Sequence, residues 1–146
     1  MQESIGVRLK ISSTTLTAQD IEARLNIKPD ESWKIGDLTG AFGAVLKQHG
    51  YALDSKGPLR ATPAEHLHLL LKRVASVAQI IGELSTQATV EVLCHARCKT
   101  LPPFSFTRDD VRWLAALGAK LELDAVLIAD RPSADQSKKP AIDGAT

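Results

Sequence analysis

Ile5, Val7, Leu9 and Ile11 alternate with Gly6, Arg8, Lys10 and Ser12. A period of two predicts a strand with one buried face. Val90, Val92, Cys94, Ala96 and Cys98 repeat the pattern opposite Glu91, Leu93, His95, Arg97 and Lys99. Between these strands the spacing changes to threes and fours. Leu67, Leu70, Leu71, Val74, Val77, Ala78, Ile81 and Leu84 predict one core-facing helix of roughly 20 residues, about 30 Å long. Ile21 and Leu25 mark a shorter helix from about Ala18, which stops before Asn26-Ile27-Lys28-Pro29 because the residue before proline disfavours helix. Val111, Leu114 and Leu117 point a further helix inward from about Arg108, ending at Gly118 with left-handed cap chemistry. Short strands are expected at Trp33-Lys34-Ile35 and Tyr51-Ala52-Leu53. A last strand begins with Leu121 and Leu123 and turns apolar on both faces from Ala125 to Ile128. The glycine-dotted stretch 36–50 reads as a loop with a helical turn at Ala44-Val45-Leu46.

The helix starts share one chemistry. Leu16-Thr17-Ala18-Gln19-Asp20-Ile21 and Phe106-Thr107-Arg108-Asp109-Asp110-Val111 each place a threonine three residues before an acid, between two apolar residues. The threonine caps free amides, the acid suits the positive helix end, and the apolar pair forms a staple. Thr62-Pro63-Ala64-Glu65 adds proline at the first helical position. The resulting order, β-α-β-β-α-β-α-β, predicts an α+β fold. It is a ferredoxin-like βαββαβ core extended by a further α-β, with a mostly antiparallel sheet and helices packed on one face. Residues 1–130 are expected to form a single domain, and 131–146, rich in proline, serine and lysine with almost nothing to bury, a flexible tail.

At 146 residues one domain can bury a proper core, whereas two would each be undersized. The formal charge of +1 supplies no global field to attract a polyanion, so nucleic acid is the least favoured partner. MQESIGVRLK lacks the features of a signal peptide, and the apolar run Ala125–Ala129 is far too short to span a bilayer. Two cysteines in such a chain suit a reducing compartment, and the expected location is the cytoplasm.

Chemistry-bearing residues are sparse. Cys94 and Cys98 share a strand face but lie about 13 Å apart, beyond the roughly 7 Å reach of a disulfide. They read as core thiols, and no metal site or cofactor is expected. His66 and His68 diverge by about 200° on a helix and cannot chelate one ion. Gly36, Gly40 and Gly43 match no phosphate loop, and no G-x-S-x-G or H-E-x-x-H occurs. The chain is therefore read as leaning away from catalysis, with no catalytic residue assigned. Arg8 and Lys10 are expected to lie near Arg97 and Lys99 on the outward sheet face, neutralised by Glu122 and Asp124; a solvated, internally balanced face is the first reading, and a surface for an acidic partner the alternative. The outward positions of these strands carry no aromatic residue. Trp33-Lys34-Ile35-Gly36-Asp37 is the segment singled out for recognition, through Trp33, Lys34, Gly36 and Asp37; a core tryptophan beside a structural turn is the alternative.

Three stretches carry a family resemblance. They are Leu16-Thr17 through Leu25-Asn26-Ile27-Lys28-Pro29 to Trp33-Lys34-Ile35-Gly36-Asp37, then Glu65-His66-Leu67 with Leu70-Leu71. The third runs from Phe104-Ser105-Phe106-Thr107 through Leu114-Ala115-Ala116-Leu117-Gly118-Ala119 to Leu121-Glu122-Leu123-Asp124. Together they resemble the uncharacterised bacterial family called domain of unknown function 4279. Tyr51 departs from the family pattern, which usually has tryptophan there. The resemblance implies a single small α+β domain and no established activity. Small bacterial domains of this kind include immunity proteins, an analogy of genre and size.

Three readings follow. The first is a non-enzymatic cytoplasmic module that binds a protein partner, of immunity or regulatory type. The second is a small-ligand or catalytic cleft beside loop 36–50. The third is a homodimer formed through the last strand, since a strand apolar on both faces needs cover on both.

Overall fold

The computed structural model of the chain describes residues 2–40 and 43–129. In chain order the elements are β1 (Ser4–Ser13), α1 (Ala18–Leu25), β2 (Glu31–Trp33), β3 (Leu38–Thr39), β4 (Ala44–Val45) and β5 (His49–Asp54). There follow α2 (Pro63–Val74), a 3₁₀ turn (Ala75–Val77), α3 (Ala78–Leu84), β6 (Thr89–Cys98), α4 (Arg108–Ala116) and β7 (Ala119–Leu127). The main sheet has the order β2-β5-β1-β6-β7. All neighbours are antiparallel except β6 and β7, which run parallel with α4 as the crossover. The β2-β5-β1-β6 part is compatible with a ferredoxin-like unit, and β7 extends it by one strand.

Alternation along β1 and β6 sorts the two sheet faces as expected. Val7, Leu9 and Ile11 join Tyr51, Leu53, Val90, Val92 and Cys94 in one buried cluster with residues of all four helices. The helices therefore cover a single face. Cys94 and Cys98 are buried, free thiols. Desolvation pushes the Cys94 thiol up to about 11 and raises that of Cys98.

The three capped helix starts, those of α1, α2 and α4, are built as the sequence states them. Thr17, Thr62 and Thr107 accept from the backbone N–H of Asp20, Glu65 and Asp110, and each acid accepts from the threonine's own N–H. The end of α1 is set by Asn26, which takes a left-handed conformation three residues before Pro29. Tyr51, buried beneath α1, donates its hydroxyl to the carbonyl of Ile27 at 2.6 Å, and burial pushes its phenol up to about 12.

Five expectations are corrected. The long helix is broken by the 3₁₀ turn at Ala75–Val77, where Ser76 and Val77 are weak helix formers. The break lets α2 pack on β1 and β6 while α3 meets α1 and α4. The second short strand is Glu31–Trp33, because Lys34 already opens a turn whose N–H is taken by Asp37. Residues 44–46 hold no helical turn: Leu38 and Thr39 pair with Val45 and Ala44 as a small hairpin, β3–β4. Val111 is 57% exposed, while Asp110 and Leu114 point inward. Finally, the outward face does carry an aromatic residue, Trp33, described below. The expected tail, 131–146, lies outside the described residues.

The two halves of each capping box satisfy amides that would otherwise lack partners. Thr17→Ala and Thr107→Ala are expected to cost about 1 kcal/mol each, measured as a lowered urea midpoint with unchanged slope. Asp110→Ala should cost more than Thr107→Ala, because it also removes the α2–α4 contact described next.

Candidate functional site

Among the described residues the sheet face opposite the helices has no second layer, so its side chains answer one another. Across β2, β5, β1, β6 and β7 this face displays Trp33, Gly50, Asp54, Arg8, Lys10, Glu91, Leu93, His95, Lys120 and Glu122. Arg8 donates from Nε and Nη2 to both carboxylate oxygens of Asp54 at 2.7 and 3.0 Å, and from Nη1 to Glu31 at 2.6 Å. This bidentate grip raises the guanidinium's pKa above its ordinary value. Lys10 lies 3.8 Å from Glu91 and 5.8 Å above the Trp33 ring centre, a cation–π distance. The antiparallel register sets Arg97 opposite Ser4, four residues along the strand from Arg8, and Glu91 opposite Lys10. The basic residues are thus not massed together. Glu31 and Asp54 neutralise Arg8 and Glu91 meets Lys10, while Lys120 lies 3.3 Å from Glu91 and 3.6 Å from Glu122.

Two glycines on this face are seats for aromatic rings. Gly50 is paired with Trp33, and a Cβ added there would fall 1.8 Å from the indole. Gly6 is paired with His95, whose Nε2 would lie 2.7 Å from an added Cβ. Trp33 is therefore neither a core residue nor paired with Tyr51, which points to the opposite face.

Beyond Trp33 the chain makes a tight turn. Lys34 N–H donates to the Asp37 carboxylate at 2.9 Å, Asp37 N–H returns to Lys34 C=O at 3.1 Å, and Gly36 takes φ +95°. Gly36 N–H donates to Leu46 C=O and Leu46 N–H to Asp37 C=O, both at 2.8 Å. Ile35 N–H reaches His49 Nδ1 at 3.2 Å. These bonds stand the β3–β4 hairpin beside the sheet. A cleft of about 350 Å³ opens between them, lined by Arg8, Glu31, Trp33, Asp37, Leu38 and Leu46 among others. Leu38 is 71% and Val45 57% exposed, and Ile35 is exposed beside them. The structure thus brings Arg8, Trp33 and Asp37 into one cleft. Lys34 and Gly36 shape the turn at its mouth, and Lys10 reaches the site through the indole.

A second concavity, about 400 Å³, lies between α2 and α4 and was not anticipated. His68 Nε2 meets Asp110 Oδ1 at 2.7 Å, with Leu71, Lys72 and Trp113 around them. His68 is exposed as expected, but Asp110 is buried. Burial alone would raise the Asp110 pKa; the hydrogen bonds from Thr107 N–H and His68 outweigh it and hold the acid below its usual range. The pair resembles a catalytic dyad, yet the hydroxyl beside it, Thr107, is engaged in capping α4. His66, which unlike His68 is buried, is spanned by Ser55 and the Pro58 carbonyl, both at 2.9 Å, and pins the loop after β5. Among the described residues no group of three or more His, Cys, Asp or Glu side chains is placed to hold a metal ion. No described helix is long and apolar enough to cross a membrane.

A family model with the description Domain of unknown function (DUF4279) matches residues 3–127. The chain belongs to this family. The match spans both concavities and the whole sheet. No curated protein and no solved structure matches the chain.

Two outcomes follow from this geometry. Gly50→Val should push Trp33 off the sheet, and in a Trp113→Phe background the remaining indole emission should shift to longer wavelength without loss of helical signal. Asp30, just ahead of β2, is partly desolvated. Hydrogen bonds from Arg73 at 2.7 Å, from Asp54 N–H at 2.7 Å and from Lys56 outweigh that burial and hold its carboxyl well below the usual range. A depressed folded-state pKa gives stability that is present above the unfolded value of about 4 and lost as pH falls through the folded one. Asp30→Asn should therefore lower Tm near neutrality and flatten its decline between about pH 5 and 2, followed by thermal melts across that range.

Proposed function

We propose that the chain is a non-enzymatic module that binds a protein partner through the surface around Trp33, acting in the cytoplasm of a bacterium in an immunity or regulatory role. The observation that carries this reading is the indole laid across Gly50, half-buried and flanked by exposed Ile35, Leu38 and Val45. An aromatic anchor in an apolar patch with a polar rim is the usual chemistry of an interface hot spot. Here the rim is Lys34, Asp37 and Glu31. Arg8 and Lys10 serve by bracing, since their charges are already met within the sheet.

The cleft itself supports a second reading, a small ligand seated between Trp33 and the hairpin beside loop 36–50. At about 350 Å³ it reaches the lower range of ligand pockets, roughly 300–1,000 Å³. The partner reading ranks first because the exposed apolar residues lie outside the cleft as well as in it.

Capture from a native lysate of the source organism, with wild type, Trp33→Ala and Leu38→Asp as baits, separates the two. Partner binding predicts a protein retained by wild type and lost, by at least about tenfold, from both folded variants. Retention of every captured protein by both variants overturns it. A thermal-shift panel of metabolites that stabilises wild type but not Trp33→Ala would move the assignment to the ligand reading.

A further inference from the structure

Strand β7 is the long edge of the sheet. It pairs with β6 from Val90 opposite Ala119 to Cys98 opposite Leu127 with no bulge, and no described strand lies on its other side. Ile128 N–H donates to Cys98 C=O at 2.9 Å, which fixes the phase of the strand. Even-numbered residues turn their backbone groups toward β6, so Leu121, Leu123 and Ala125 turn theirs outward. The same odd-numbered residues share the helix-side face with Val92 and Cys94, yet the helices do not reach over them. Leu123 is 52% and Leu127 64% exposed, whereas Val92 and Cys94 are fully buried. Of the usual protections of an edge, β7 has only the charges of Lys120, Glu122 and Asp124 on its outward face; it has no proline and no bulge, and its helix-side positions are all apolar.

We propose that this edge is covered by a second copy of the chain, β7 against β7, antiparallel about a two-fold axis at Glu122. The charges on the outward face choose this occupant and this register. With Glu122 on the axis, Lys120 of each copy stands opposite Asp124 of the other. These are non-hydrogen-bonded pairs, the closer kind in an antiparallel ladder. Outward-turned backbone groups then meet as Leu121 with Leu123 and Ala119 with Ala125, twice each, and the leucines cover one another on the helix side. The two Glu122 carboxylates on the axis are flanked by both Lys120 ammoniums, each already held between Glu91 at 3.3 Å and its own Glu122 at 3.6 Å within its own copy. Moving the axis to Leu123 would set Glu122 against Asp124 on both sides, a double repulsion. The interface is isologous, so it closes at two copies and leaves no further edge of this kind.

Sedimentation of the full chain tests the proposal. Wild type should sediment as a dimer. Leu123→Lys, at an exposed position, should be monomeric with an unchanged far-ultraviolet spectrum. Lys120→Glu and Asp124→Lys alone each place like charges opposite one another and should weaken the dimer at least about tenfold. Mixed in equal amounts, they restore both opposite-charge pairs and should form heterodimers. A monomeric wild type at the highest soluble concentration overturns the proposal. A dimer that persists in Leu123→Lys, or single charge variants that stay as tightly dimeric as wild type, overturns the β7 interface.

Discussion

Strand β1 has to be satisfied on both faces and along both edges, and the rest of the molecule is arranged around that demand. Its edges are taken by β5 and β6, so every neighbour it has is antiparallel. Its inner residues, Val7, Leu9 and Ile11, need the helices. Its outer residues, Arg8 and Lys10, need counter-charges from the strands alongside, because no described residue forms a layer above them. Asp54 on β5, Glu31 on β2 and Glu91 on β6 stand within reach. Ion pairs exposed in this way contribute roughly 0–1 kcal/mol each. Their effect is to fix side-chain geometry, and the cleft wall is one result.

The architecture was legible where the signals are local. Alternation in β1 and β6 depends only on which face meets the core, and three capping boxes depend on residues three apart. The hairpin β3–β4 escaped because two-residue strands cannot show a period, and Gly40 and Gly43 speak equally for loop or turn. The rotation of α4 that exposes Val111 escaped for another reason. Asp110 faces inward because His68, 42 residues earlier, meets it there. Only the assembled fold supplies that partner.

The same division runs through the candidate site. Trp33 to Asp37 stood out as more than a turn, and three of the six residues singled out, Arg8, Trp33 and Asp37, line one cleft. The role of Gly50 was not legible. A glycine before Tyr51 reads as a loop end, and only its pairing with Trp33 shows that a missing side chain makes room for the indole. Neighbouring strands could be inferred for Arg8 and Arg97, but their register could not. In an antiparallel pair the register decides whether two cations sit side by side or several residues apart.

The two surfaces that the described residues leave uncovered lie at opposite edges of one sheet. Trp33 belongs to β2 and the open leucines to β7, with β5, β1 and β6 between them. A dimer closed through β7 would make a continuous ten-strand sheet whose two Trp33 surfaces sit at its ends, about nine strand spacings or ~43 Å apart before twist is counted. Association would then leave both Trp33 surfaces open, on the same face of the sheet and at its two ends. A partner presenting two binding segments at that span, or a partner that is itself dimeric, would be held far more tightly than by one surface alone. Neither surface could serve the other's role, since β2 has three residues to offer as an edge and β7 carries no aromatic anchor.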